Sequence, residues 1–503
     1  MQTRKDYILS LDADKRLFHA DMLVDKAHVV MLREKGILKR NDAAMILNCL
    51  NKIDPGYFVE HVLPTYEDVH TAIESVLIKE VGADIGGRMH TGRSRNDEVA
   101  TCIRLALRDG LLVLMEEVNE LRRAAIEKAD MNVETIMPGY THLQHAQPTT
   151  FAHHFLAHAD AFARDFSRLK SAYEGVNVSP LGAAAFASTG FPIDRDRTAY
   201  LLGFDSVLEN SMDAVSTRDF AIEAISCYAN LMTNLSRLAE EIILWSTSEF
   251  NLVRVAAEYA AGSSIMPQKR NPDYAELVRA RTGSVYGCLM SAISICKALP
   301  YAYNRDLQEV TPHLLKATEI TLSSVSVLSH IVEGLELKRE EMVKKAQMGF
   351  TTATELADTI VRETGVPFRT AHKIVSSLAK KLEDSVETTE GSVVLREMDD
   401  FAILIIGEKL SKLGLTEKEV DLALDIASNI EMRIVTGGPA SKEIQRMLRT
   451  RRMGLERDEK IRVAKEERVI KSLEELRKEV KKKTRVIKVI KKSQILSAFY
   501  IVL

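Results

Sequence analysis

SMDAVSTRDFAIEAISCYANLMTNLSRLAEEIILWST, residues 211–247, holds neither proline nor glycine. Ile225, Tyr228, Met232, Leu235, Leu238, Ile242 and Trp245 recur in it at three- and four-residue steps. That is the spacing of one face of an α-helix. Apolar residues also cover much of the remaining circumference, so the helix packs against more than one neighbour. No proline interrupts 98–135 or the stretch from 273 to 298 either. Such lengths far exceed the globular average of about 11–12 residues and predict a bundle of long helices. Alternating strand patterns are rare.

Working outward, the chain divides into segments of different texture. Residues 1–95 read as an N-terminal domain of short helices and loops. Residues 96–345 hold the long helices and form the central bundle. Residues 346–455 read as a small C-terminal helical domain, broken at Gly365-Val366-Pro367, at Gly414 and at Gly437-Gly438-Pro439. Residues 456–503 form a charged and then apolar tail of unknown role: 456–492 carries a net charge of about +7, and the chain ends in ILSAFYIVL. That nonamer is too short to span a bilayer; the charged part reads as helical or disordered, and the tail as a whole as an appended, weakly ordered segment with no part in the chemistry, a partner or membrane-surface contact being the other reading.

Composition excludes several function classes. The chain has 503 residues and a formal net charge of −3, which argues against nucleic-acid binding. No run of about 18 apolar residues predicts a membrane span, and MQTRKDYILSLDADKR lacks the apolar core of a secretory signal. The five cysteines are scattered, without Cys-x-x-Cys spacing. That predicts a reducing, cytoplasmic setting with neither disulfide frame nor zinc cluster.

Polar residues concentrate in five places: EDVHTAIE (67–74), GGRMHTGRSRNDEVAT (86–101), MPGYTHLQHAQPTT (137–150), AGSSIMPQKRNP (261–272) and, more weakly, YAYNRDLQE (301–309). In the second, Arg93 and Arg95 offer two guanidinium forks for carboxylates, Ser94 and Asn96 add hydrogen bonds, and Asp97 is placed to cap the following helix. A plain charged helix start is the competing reading. In the third, His142 and His145 stand three apart, on one face if helical. Without a third histidine or clustered carboxylates they make a weak metal site, and one acid–base histidine or a structural one fits better. The fourth is a loop of small, hydroxylic and cationic residues. Asn271-Pro272-Asp273 starts a helix there, so Lys269, the Asn271 amide and a helix N-terminus converge, as stabilisation of a developing oxyanion requires. Ser263 sits beside Gly262 on the pliant side, able to move onto a substrate. Glu276 is placed to orient a histidine from elsewhere. No Gly-x-Ser-x-Gly elbow or phosphate-cradling glycine motif occurs.

At these residues the chain resembles a known family. GSSIMPQKRNP resembles the motif shared across the fumarase/aspartase superfamily. TGRSRND, GYTHLQHAQP, NVSPLGAAAF, TGFPIDR, ENSMDAVSTRDF and AYNRDLQE together resemble the argininosuccinate lyases, from about residue 10 to about residue 450. The resemblance implies an all-α fold of three helical domains, the central bundle being completed by tetramerisation, with active sites that combine segments from three subunits. It implies anti elimination of argininosuccinate to arginine and fumarate without metal or organic cofactor. Ser263 then matches the general base, Lys269 and Asn271 the residues stabilising the aci-carboxylate carbanion, and His142 the acid or its relay, paired with Glu276. Arg95, Asn96 and Thr141 match substrate-binding positions with Ser94 and His70 nearby. Tyr303 and Gln308 match positions on the substrate's far side. Helices such as 220–247 are expected to bury against sister chains.

Three positions depart from the family pattern. Glu98 follows TGRSRND where many relatives have Gln, Thr311 stands where many have a lysine that meets a substrate carboxylate, and Asp25 replaces a substrate-touching serine. These departures bear on affinity and on substrate identity. Another superfamily lyase, such as an adenylosuccinate lyase, and a catalytically silent structural homologue are the alternative readings.

Overall fold

The computed structural model describes residues 9–382 and 390–484. The chain enters through α1 (Leu11–Glu34) and, after a further helix over Arg40–Lys52 and short turns, α2 (Val69–Val81). Five long helices make the body: α3 (Arg95–Asp130), α4 (Phe151–Val176), α5 (Asp219–Ser246), α6 (Asp273–Cys296) and α7 (Val310–Glu333). In the bundle α3 packs on α4 and α7, while α5 packs on α4, α6 and α7. The all-α bundle expected from 211–247 is therefore present. All seven apolar residues of that stretch are buried.

They are buried within their own chain. Three neighbours consume its apolar circumference. Among the five long bundle helices, the exposed large apolar residues lie on α6, where Leu277 is 50%, Tyr286 45%, Met290 65% and Ile293 43% exposed.

Local chemistry fixes where the helices start. Ser94 caps α3 in a reciprocal box with Asp97: the Ser94 hydroxyl accepts from the Asn96 amide at 3.3 Å, and Asp97 Oδ1 accepts from the Ser94 amide at 2.9 Å. The cap is thus Ser94 rather than Asp97, whose second oxygen accepts from the Gly182 and Ala184 amides at 2.8 and 2.9 Å. The start of α3 is thereby tied to the loop of NVSPLGAAAF.

The segment 136–150 is an antiparallel hairpin, β1 (Ile136–Thr141) with β2 (Gln144–Thr150), so the shared helical face considered for His142 and His145 does not exist. His142 and Leu143 form its tip with φ of 58° and 59°. Both central residues in the left-handed region give the turn that suits the twist of a two-residue hairpin, at a cost in strain for residues other than glycine. Gly139 marks the irregular step in the pairing, where a Cβ would sit 2.2 Å from the Gln147 carbonyl oxygen.

Helices between Ala353 and Leu424 enclose a second core around Leu356, Ile360, Ile374, Val394, Met398 and Val420. The last element, α8 (Ser441–Thr484), is one 44-residue helix that crosses the boundary expected at 455. It lies on α1, α3 and α4. Residues 456–484 are thus no weakly ordered tail. Val469, Leu473, Leu476 and Val480 form a stripe at three- and four-residue steps, buried in the main core, which the surrounding charge hides from a compositional reading. ILSAFYIVL lies outside the described residues.

Candidate active site

A cavity of about 180 Å³ opens where α1, the start of α2, the start of α3 and residues 303–311 meet. His70, Arg95, Asn96, Tyr303 and Gln308 line it, five of the residues singled out in the sequence, drawn from three separate polar clusters. Arg95 Nη1 lies 2.9 Å from Asp68 Oδ2, and Asp68 also caps α2 through the Thr71 amide at 2.7 Å. Asn96 Nδ2 donates to the Ala185 carbonyl at 3.0 Å. Ser94 stands one residue before this lining as the α3 cap.

The lining also holds groups that the sequence reading did not single out. Arg218, from ENSMDAVSTRDF, is buried and its Nη1 donates to the Thr217 carbonyl at 2.8 Å. Burial pulls its guanidinium down to about 10, so it stays cationic near neutrality. Arg305 joins it, held 2.7 Å from Glu67. Asp14 completes the acidic side. Burial pushes it up to about 6, against bonds from the Ser10 hydroxyl at 2.7 Å and the Val69 amide at 3.2 Å. Asp14 in SLDADKR and Arg218 in STRDF sit among other polar residues, so the sequence does not set them apart.

Beneath the cavity lies a buried charged layer. His70 Nδ1 is 2.8 Å from Asp21 Oδ2. Burial works against an imidazolium there, but the Asp21 carboxylate outweighs it and holds His70 up to about 10. Arg93 Nη2 sits 2.5 Å from Asp25 Oδ1 and 2.9 Å from Glu98 Oε1, all three buried. Burial pushes Glu98 well above the usual carboxyl range against the pull of Arg93. The same burial raises Asp25 to about 6, again opposed by Arg93.

Two of the three family departures are placed by this layer. Asp25 and Glu98 both bind Arg93, and neither lines this cavity. Thr311 does line it, together with the Arg218 and Arg305 cations.

The remaining singled-out residues stand elsewhere. Thr141 and His142 are exposed at the hairpin tip. The loop 261–272 is a second small hairpin, Ala261–Gly262 paired with Arg270–Asn271, and its tip carries Ser263 and Lys269. Ser263 Oγ accepts from the Ile265 and Met266 amides at 3.3 and 3.0 Å. Asn271 sits in the short strand, Pro272 occupies the cap position of α6, and Glu276 is exposed on its first turn. None of these six residues lines the cavity. One chain therefore presents three separate pieces: a cationic pocket, a hairpin tip and a mobile-type loop at a helix N-terminus.

The chain matches the family model described as Lyase over residues 10–287, and the one described as Argininosuccinate lyase C-terminal over 350–431. It is 54% identical over 451 residues to an argininosuccinate lyase of Methanosarcina barkeri, covering 90% of each chain. It is 46% identical over 456 residues to one of Methanocaldococcus jannaschii, covering 90% of this chain and 92% of that one. Among solved structures, an EDDS lyase in complex with formate superimposes with a TM-score of 0.87 at 32% identity, covering 93% of this chain and 92% of that one. A variant of that enzyme with bound fumarate does so at 31% identity and the same TM-score. With the pocket, the serine loop and the helical frame in one chain, these likenesses agree: the chain belongs to the argininosuccinate lyase family, within the fumarase/aspartase-type lyases.

Proposed function

We propose that this lyase cleaves argininosuccinate to arginine and fumarate, as a cytoplasmic homotetramer whose subunits share their active sites. One observation carries the reading. A single pocket gathers His70, Arg95, Asn96, Tyr303 and Gln308, while Ser263 and His142 stand on exposed projections and α6, next to the serine loop, bares an apolar face. Assembly through that face brings the three kinds of piece, from different subunits, around one substrate.

In this reading the pocket takes the substrate carboxylates. The His70 imidazolium, Arg95 and Arg218 supply positive charge, Asn96, Ser94 and Thr141 supply hydrogen bonds, and Tyr303 and Gln308 close the far side. Ser263 removes the proton from the carbon beside a carboxylate. The electron pair moves onto that carboxylate as an aci-carboxylate, facing Lys269, Asn271 and the N-terminus of α6. Collapse of the pair forms the fumarate double bond and breaks the bond to the guanidino nitrogen, which takes up a proton. His142, oriented by Glu276, serves this acid step or relays it. Free serine is a weak base, so its proton leaves only as the loop closes over substrate and excludes water. No step calls on a metal or an organic cofactor.

The test is fumarate release, followed by ultraviolet absorbance, with argininosuccinate and with adenylosuccinate offered separately. Fumarate from argininosuccinate alone is the expected result. Release from adenylosuccinate alone, or silence with both from a folded tetramer, overturns the reading.

A further inference from the structure

In FAHHFLAHAD, His154 and His158 stand one helical turn apart on α4, and α5 places Glu241 opposite them. Both Nε2 atoms lie against the same carboxylate oxygen, Glu241 Oε2, at 2.8 and 2.7 Å. One ligand-type atom from each residue falls within 4.8 Å of the other two. The side chains are 29%, 10% and 32% exposed, enough to admit an ion yet held by the helices on either side. None of the three lines the cavity described above, and the elimination makes no use of them.

We propose that His154, His158 and Glu241 form a site for a divalent transition-metal ion that staples α4 to α5. Histidines four apart project from one helix face. A carboxylate from the facing helix supplies the anionic third ligand. Metal–ligand distances of about 2.0–2.2 Å at tetrahedral angles separate ligand atoms by ~3.3 Å, so each imidazole nitrogen opens from Glu241 by about half an ångström, and the two nitrogens, within 4.8 Å of each other, take up the same spacing. Side-chain rotation of that size leaves both helices in place. The Glu241 carboxylate is ionised throughout the neutral range: burial opposes its charge, but bonds from His154 and His158 outweigh this and hold it down to about 2.

Coordination uses the Nε2 lone pair of each ring. The hydrogen that each Nε2 directs at Glu241 has to leave that nitrogen for the ion to bind, and the ring that ligates is neutral with its proton on Nδ1. The fourth position faces solvent and takes water. Two imidazoles and one carboxylate favour Zn²⁺, Co²⁺, Ni²⁺ or Cu²⁺ over Mg²⁺ or Ca²⁺, which prefer oxygen ligands. The wall of the site is apolar and aromatic: Trp245 lies edge-on to His154 with ring centroids 5.0 Å apart, and Phe162 stacks by His158 at 6.3 Å.

Trp245 is the single tryptophan of the chain, so the site has its own reporter. The experiment titrates full-length protein, stripped with a chelator, with Co²⁺ while following tryptophan emission. Quenching that saturates at one equivalent per chain, and that Zn²⁺ but not Mg²⁺ reverses, is the expected result. Visible ligand-field absorption should grow in parallel. Glu241→Gln, near-isosteric, and His158→Gln should each weaken Co²⁺ binding by at least about 100-fold, since loss of a second-sphere partner alone costs about 10- to 100-fold. Both variants should keep wild-type fumarate release, which also reports that they fold. Absence of saturable quenching in the wild-type protein overturns the proposal. So does stoichiometric quenching that survives in a folded Glu241→Gln or His158→Gln protein.

Discussion

Asp21 Oδ2 lies 2.8 Å from His70 Nδ1, with both side chains closed off from solvent and only His70 reaching the cavity. The charge that His70 presents to the pocket is therefore set by a residue with no place in the cavity lining.

Asp21→Asn tests that dependence. In the wild-type protein His70 is held up to about 10, above its ordinary 6.5. The native state thus binds the extra proton between those values. Its stabilisation is full below pH 6.5 and is lost as pH rises through about 10. The His70 ring should show no titration by NMR between pH 7 and 8.5. In Asp21→Asn the buried ring becomes neutral, and a charged hydrogen bond worth about 1.5–3 kcal/mol to a substrate carboxylate is lost. KM should rise roughly 10- to 100-fold with a smaller change in kcat. An unchanged KM with an intact His70 signal would remove the aspartate from this role.

Asp25 and Glu98 share Arg93 but should respond very differently to substitution. Burial pushes Glu98 towards its neutral form, against the pull of Arg93, and it also hydrogen-bonds Asp21. Gln keeps both the donor and the acceptor, so Glu98→Gln should cost within about 1 kcal/mol. Asp25 supplies the negative charge beside a buried guanidinium at pH 7.5. Asp25→Asn should cost about 3–5 kcal/mol by leaving Arg93 uncompensated. Because Asp25 is raised to about 6 from 3.8, the native state binds its proton more tightly, and its contribution to stability falls as pH rises through that window. Urea unfolding of both variants at pH 7.5 decides the order. A costlier Glu98→Gln would mean that Glu98, not Asp25, is the ionised partner.

The bundle was legible because helical period and length survive in sequence, and 211–247 buries the face that its spacing marks. The pocket was half legible. His70, Arg95, Asn96, Tyr303 and Gln308 stood in polar clusters that were singled out, whereas Asp14 and Arg218 stand in ordinary polar stretches, SLDADKR and STRDF, whose partners are known only once distant elements meet. The hairpin at 136–150 escaped because a histidine and a leucine occupy left-handed turn positions that usually announce themselves by Asn or Gly. The packing of 456–484 against the body escaped because a narrow apolar stripe is diluted by charge on every other face.

That stripe supplies a direct test. Leu476 is buried on α8 against the main core. Leu476→Ala should cost about 2–5 kcal/mol, as for a core leucine, and lower the thermal midpoint of the whole body. A change near zero would return the segment to the status of an appended tail.

Ser263 has its oxygen bonded only to loop amides, so Ser263→Ala should leave the fold and the assembly intact. Loss of the general base should lower kcat by at least about 10²- to 10⁴-fold. Substrate should still bind, with a Kd near the wild-type KM. If the sites are shared, mixed tetramers of Ser263→Ala and Arg95→Ala chains should regain activity that neither parent has, since some sites draw an intact loop and an intact pocket from different chains. Near wild-type turnover in Ser263→Ala would dismiss the serine as base.

The exposed face of α6 links assembly to chemistry. Leu277 and Met290 are exposed on the helix whose N-terminus follows the Ser263 loop. An apolar face of this size on a bundle helix signals a protein interface. If the proposed tetramer assembles through this face, Leu277→Lys with Met290→Lys should disperse it, because each ammonium would have to lose its water without gaining a partner. The isolated chain should keep its helical content, since the α6 residues that hold it to α5 and α7, Ala275, Val278, Val285 and Ala292, are buried on the other side. Light scattering should then report smaller species and fumarate release should fall with the tetramer fraction. An active, folded monomer would show that one chain suffices, and with it that the serine loop reaches the pocket of its own subunit.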